Sequence, residues 1–233
     1  MHSTWSDGAN SIEEMVEAAR DKGYTYIAIT DHSKFLRVAN GLTEERLREQ
    51  HAYIRELNKQ YEDITILTGI EMDILPDGSL DFEDDLLAEI DLVIASIHSS
   101  FQQSEEKIME RLKSALYNPH VDIIAHPTGR VLGRRKGYDV NVSELIQLAK
   151  ETGTALELNA SPYRLDLSAD WLKKAEEAGV TIAVNTDAHR VEGLDDMRYG
   201  TGTARKAMLP TKSVMNTWTL EELMDFLRDK KTV

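Results

Sequence analysis

Short runs rich in Ile, Val and Leu recur along the chain, and nearly every one closes on a polar or ionisable residue. They are YTYIAITDH ending at His32, ITILTGIE at Glu71, DLVIASIH at His98, VDIIAHP at Pro127, TALELNA at Ala160 and VTIAVNTDAH at His189. Continuous apolar runs of this length suit parallel strands buried on both faces. Between them the apolar positions return with helical spacing, in SIEEMVEAARDKG, LTEERLREQHAYIRELNKQYED, SEEKIMERLKSALY, VSELIQLAKETG, SADWLKKAEEAG and TLEELMDFLRDKK. Ser11 with Glu14, Thr43 with Arg46 behind Glu44 and Glu45, and Thr219 with Glu222 place capping oxygens and early acids at helix starts. Gly23, Gly153 and Gly179 are placed to stop three helices.

Strand ends fall at about Asp31, Glu71, His98, His126, Asn159 and Asp187, roughly 31 residues apart on average, the length of a βαβ unit. A β/α barrel is the economical fold. An open doubly wound sheet gathers its polar residues at one switch point, whereas here they close almost every strand. In a barrel all these ends face one mouth. Composition agrees with a single globular domain over residues 1–233, with 41% apolar and 29% charged residues.

Forty-one acids against 27 Lys and Arg give a net charge of -14. That balance repels nucleic acid at long range, although bound divalent cations would reverse it locally. The acidic stretch from Asp81 to Asp91 reads as a solvated face. No run approaches the roughly 18 apolar residues of a membrane helix, and MHSTWSDG lacks the pattern of a signal peptide, so the sequence reads as a cytoplasmic protein with no membrane partner. Cysteine is absent. Thiolate chemistry is thereby excluded, and any metal must be held by His, Asp and Glu.

The proposed mouth collects an unusual set of side chains: Asp31, His32, Glu71, Asp73, His98, His126, Asn159, Asp187 and His189, joined by His2 and Asp7 from the N-terminal segment. His2, His32, His98, His126 and His189 are five of the seven histidines. The other two, His51 in a charged helix and His120 in a loop before a strand, read as structural. Imidazole and carboxylate without thiolate suit Mn, Fe or Zn, and Glu71 is the natural bridge between ions. Divalent ions held this way activate water and neutralise phosphate oxygens, so hydrolysis of a phosphate ester is the leading reaction. A Ser-His-Asp hydrolase is disfavoured because no G-x-S-x-G elbow occurs.

The segments MHSTWSDG, TDHS, GIEMDI, SIHSS, HPTGR and NTDAHR resemble, in order, the motifs of the PHP (polymerase and histidinol phosphatase) superfamily. HPTGRVLGRRKGYDVN, LELNASPYRLDLS and MRYGTGTARKAMLPTKSVMNTWTLEELMDFL further resemble the C-terminal PHP domain of family X DNA polymerases, so the likeness covers the whole chain. The resemblance implies a distorted seven-stranded (β/α)7 TIM-like barrel with up to three divalent ions, Mn2+ foremost, or Zn2+ or Fe2+. One ion would be held by His2, Glu71 and Asp187, a second by Glu71, His98 and His126, and a third by Asp7, His32 and His189. It also implies 3′–5′ exonuclease or 3′-end processing in DNA repair, acting on single-stranded or gapped DNA 3′ ends, within a longer polymerase. The family's His-x-His motif would place its first histidine immediately before Met1. One ligand of the first site and most of the family's first strand are therefore expected to be missing, with the second and third sites binding more reliably and activity reduced or lost. The competing readings are a histidinol-phosphate-type phosphatase and a non-catalytic structural PHP module.

From His126 to Tyr138 the chain carries Arg130, Arg134, Arg135 and Lys136 and no acid, and Arg164, Arg190 and Arg198 follow other strand ends. In an acidic protein such a cluster suits a phosphodiester backbone. Arg130, Arg134, Arg135, Lys136, Arg164 and Arg190 are the expected substrate contacts. Arg130 and Arg190 are expected to orient the phosphate for catalysis at Glu71, Asp187 and His98. Tyr138, Tyr163 and Phe101 offer rings on which a terminal base could stack.

Overall fold

A computed structural model describes residues 1–230. It contains six parallel strands in consecutive order: β1 (Tyr26–Ile29), β2 (Thr65–Asp73), β3 (Leu92–Ser96), β4 (Ile123–Ile124), β5 (Ala155–Asn159) and β6 (Ile182–Asn185). Consecutive order contains no switch point, so the doubly wound alternative falls. The sheet curls into a half-barrel with helices outside, a distorted TIM-like arrangement.

The helices are α1 (Ile12–Asp21), α2 (Glu44–Leu57), α3 (Asp84–Leu87), α4 (Glu105–Tyr117), α5 (Val142–Thr152), α6 (Ala169–Ala178), α7 (Met197–Lys206) and α8 (Leu220–Lys230). Their ends follow the expected signals. Ser11 and Glu14 form a reciprocal capping box, and the Thr43 hydroxyl accepts the Arg46 N–H. Gly153 and Gly179 take left-handed conformations at the ends of α5 and α6. The helical segment expected to run to residue 231 is α8, and 231 itself lies outside the described residues. The helix α7 lies outside the segments expected to be helical.

Two acids of the stretch expected to be a solvated face have structural work instead. Asp81 is buried and accepts the Phe35 N–H at 2.7 Å, while Asp91 accepts the Thr68 N–H and hydroxyl at 2.9 and 2.7 Å. Glu83, Asp84, Asp85 and Glu89 between them are exposed, as expected.

The first two residues make strand-like contacts. Met1 N–H donates to Ala28 O at 3.4 Å and Met1 O accepts Thr30 N–H at 2.8 Å, the alternation of a parallel ladder opposite Ile29. On its other side His2 N–H reaches Ala188 O at 2.8 Å, beyond the end of β6. The first two residues thus occupy one strand position between β1 and β6. Lower down, the β6 edge is covered by a side chain. Asn216 Oδ1 accepts Val184 N–H at 2.7 Å and its Nδ2 donates to Val184 O at 2.8 Å, imitating a neighbouring strand. Between these two plugs a cavity of about 610 Å3 remains, lined by Ala28, Leu67, Ile94, Ala125 and Met215, and reaching Glu71 and Asp187.

Candidate metal centre

The C-terminal ends of the strands and the N-terminal segment bring the eight expected ligands together, and Glu71 stands at their centre. Its Oε1 lies 3.0 Å from His126 Nε2 and 3.2 Å from His98 Nε2. Its Oε2 lies 3.2 Å from His2 Nε2 and 3.6 Å from His32 Nδ1. Each oxygen therefore faces its own pair of imidazoles, as a carboxylate bridging two cations must. His2 Nε2 also meets Asp187 Oδ1 at 3.1 Å. Asp7 Oδ1 closes the group, 3.4 Å from His189 Nε2 and 3.7 Å from His32 Nε2.

Three overlapping sets have ligand atoms within 4.8 Å of one another: His2, Asp7, His32 and His189; His32, Glu71 and His98; and His2, Glu71 and Asp187. The third matches the expected first ion, and the first is the expected third set with His2 added. The second differs from expectation in offering His32 where His126 was assigned, although His126 bonds the same Glu71 oxygen as His98. The donor chemistry fits divalent metal. Five imidazoles crowd the carboxylates of Glu71, Asp187 and Asp7, His2 stacks on His189 at 4.0 Å and on His32 at 4.3 Å, and the buried Nδ1 of His32 has no hydrogen-bond partner.

Electrostatics describe the same site from the proton's side. Burial opposes charge on Glu71, but His32, His126, His2 and His98 hold it well below the usual carboxylate range. Burial likewise opposes charge on His2 and His98. Hydrogen bonds to Asp187 and Glu71 nevertheless raise His2 to about 9, and those to Asp73 and Glu71 raise His98 to about 10. His32, buried between them, falls to about 3. Protons on His2 and His98 thus balance the carboxylates wherever cations do not.

Local backbone serves these side chains. His126 and Asp187 both take left-handed conformations, with φ of 27° and 54°, which non-glycine residues adopt chiefly where function requires it. The loop carrying His2 and Asp7 is tied to Asp31, which accepts from Ser3 N at 2.7 Å, Ser3 Oγ at 2.6 Å, Gln50 Nε2 at 2.6 Å and also Ser6 Oγ. Gly8 lets that loop close, since a Cβ there would lie 2.7 Å from the His2 carbonyl. Asp31 and Asp73, both at the expected mouth, are supports: Asp73 Oδ1 takes the far nitrogen of His98. Asn159 holds Asp187 through Nδ2 at 3.2 Å.

Sequence reasoning missed Glu157. This buried β5 residue accepts His126 N–H at 2.5 Å and Asn185 Nδ2 at 3.0 Å, and burial pushes it up to about 8. It also missed Arg111, fully buried on α4, which donates to Ser99 O at 3.0 Å, Gln103 Oε1 at 2.9 Å and Ile74 O, clamping the loops after β2 and β3. His51 bonds Gly69 O at 3.2 Å, and neither it nor His120 enters any of the three ligand sets.

The basic residues divide. Arg130 is turned onto backbone, with Nε 2.9 Å from Arg164 O and Nη2 on Leu165 O. Arg135 bonds Gly129 O at 2.8 Å and lies 4.2 Å above the Phe101 ring. Arg134, Lys136 and Arg190 are exposed. Arg164 is the member of the set that reaches the cluster, its Nε 3.6 Å from Asp187 Oδ2.

A half-barrel with a histidine and carboxylate cluster at the strand ends defines a metal-site β/α protein. The PHP domain model matches residues 1–161, and the chain belongs to that family. It is 60% identical over 228 residues to the DNA polymerase/3′-5′ exonuclease PolX of Bacillus subtilis, in a match covering 98% of this chain and 40% of that protein. The chain thus spans well under half the length of that relative. It is 29% identical over 232 residues to a probable phosphatase of Thermoanaerobacter sp. strain X514, covering 95% and 89% of the two chains. The histidinol phosphate phosphatase of Lactococcus lactis, solved with zinc, L-histidinol and phosphate, shares the fold with a TM-score of 0.62 at 19% identity, over 89% of this chain and 91% of that one. Among the described residues no helix is long and apolar enough to cross a membrane.

Proposed function

We propose that this chain is a metal-dependent phosphoesterase that trims DNA 3′ ends, the 3′–5′ exonuclease module of a family X polymerase acting in DNA repair. The carrying observation is Glu71, whose two oxygens each face a separate imidazole pair at the open mouth. His2, Glu71 and Asp187 would hold one ion, Glu71, His98 and His126 a second, and Asp7, His32 and His189 a third, with Mn2+ the foremost choice and Zn2+ or Fe2+ the alternatives. Such ions supply Lewis acidity, lower the pKa of water and screen the charge of the transferring phosphoryl group. The protein's own part is positioning. Arg164 stands at the Asp187 edge, ready to take a phosphate oxygen, with Arg134, Lys136 and Arg190 drawing the polyanion toward an otherwise acidic surface. Arg130 acts by fixing the backbone of Arg164 and Leu165. The identity to the Bacillus polymerase favours DNA as substrate and a polymerase domain as working partner.

The test is Mn2+-dependent hydrolysis of a 3′-labelled single-stranded oligonucleotide. Stepwise shortening from the 3′ end is expected, with Glu71→Ala and Asp187→Ala lowering the rate at least about 1,000-fold. Turnover of histidinol phosphate with no attack on DNA would favour the phosphatase reading, which the zinc- and histidinol-bound fold relative supports. Metal binding with neither activity would favour a structural module.

A further inference from the structure

The rim beside β5 carries an aromatic ring that packing does not use. Tyr163 is 65% exposed, and its carbonyl accepts the Leu132 N–H at 2.6 Å, bringing it beside a second exposed apolar residue in the basic loop. The other two aromatic residues of this region are engaged elsewhere. Phe101 and Tyr138 stack at 5.9 Å and 9°, Arg135 covers Phe101, and the buried Tyr138 donates its hydroxyl to Pro127 O at 2.9 Å.

The residue after Tyr163 faces the metal cluster. Arg164 Nε lies 3.6 Å from Asp187 Oδ2, and its buried Nη1 has no hydrogen-bond partner. An unpaired guanidinium nitrogen beside a metal-ligating carboxylate is suited to a phosphate oxygen. A free ring on the adjacent residue is suited to the base attached to that phosphate. We infer that Tyr163 is a stacking platform for the nucleobase next to the scissile phosphate, making it a specificity-determining residue for base-bearing 3′ ends. This rests on the nuclease reading. Because every base has a π-face, such a platform senses that a base is present and ignores which one it is.

The experiment compares two oligonucleotides of equal length, one with an ordinary 3′ nucleotide and one with an abasic 3′ residue, hydrolysed by the full chain with Mn2+. Wild type is expected to favour the base-bearing end by about tenfold in kcat/KM, with little difference among the four bases. In Tyr163→Ala that preference collapses toward unity through a higher KM, and in Tyr163→Phe it persists. A 3′-terminal 2-aminopurine gives a reading independent of turnover: its fluorescence is quenched on binding to wild type and Tyr163→Phe, but not to Tyr163→Ala. Full preference retained in Tyr163→Ala, or equal loss in Tyr163→Phe, overturns the platform and leaves the nuclease intact. Failure of wild type to shorten either oligonucleotide removes the nuclease reading and the platform with it.

Discussion

Asp73 Oδ1 lies 3.2 Å from His98 Nδ1, while the opposite nitrogen of the same ring lies 3.2 Å from Glu71 Oε1. A carboxylate behind an imidazole holds the proton on Nδ1 and leaves Nε2 as the donor toward a cation. Asp73→Asn keeps the shape and removes the charge. It is expected to weaken binding at the ion shared by Glu71 and His98 about 10- to 100-fold while leaving the fold unchanged. Calorimetric titration with Mn2+ reads this directly. An unchanged isotherm would mean that His98 is oriented by Ser96, whose hydroxyl is 3.3 Å from the same nitrogen.

Protons and cations compete for the same atoms. With His2 raised to about 9 and His98 to about 10 in the metal-free protein, both rings are protonated at pH 7.5 and must release those protons to bind metal. Metal affinity is therefore expected to rise with pH up to about 10, with about two protons released per fully loaded site at pH 7.5. Titrations in buffers of different ionisation enthalpy count them. Binding that releases no protons would place the metal elsewhere.

Glu157 gives the metal-free protein an opposite slope. Its folded pKa is raised from 4.5 to about 8 by burial and by Asp187. The folded state then binds the proton more tightly than the unfolded state, so this contribution to stability is complete below about pH 4.5 and is lost as pH rises through 8. Relative to Glu157→Gln, wild type should lose on the order of 4 kcal/mol between pH 4.5 and 9. Urea unfolding of both proteins across that range measures the difference, and parallel profiles would contradict it.

Much of this architecture was legible because a parallel β/α repeat writes itself twice, once as an apolar run and once as the polar residue that ends it. His32, Glu71, His98, His126 and Asp187 were placed by that rule alone. Ligands and their supports are harder to separate, since Asp31 and Asp73 end strands as Glu71 and Asp187 do. Only the four donors converging on Asp31, or the far nitrogen of His98 on Asp73, distinguish them. Arg111 is one more cation on its helix in the sequence and Arg130 reads as a phosphate contact, because the carbonyls they satisfy belong to segments distant in sequence. Glu157 was hidden for a related reason: a charged residue inside an apolar run looks like an interruption until the strand is seen to aim it at His126 N–H. The strand-like edge contact of Asn216 left no pattern either, since one side chain replaces a whole strand there.

The central claim is that the two oxygens of Glu71 bridge divalent ions, and anomalous diffraction from crystals grown in Mn2+ tests it most directly. The account predicts anomalous peaks within about 2–2.3 Å of both Glu71 oxygens, with His98 and His126 on one side and His2 and Asp187 on the other, and their disappearance in Glu71→Ala. Saturating Mn2+ that leaves the surroundings of Glu71 without a peak would contradict it.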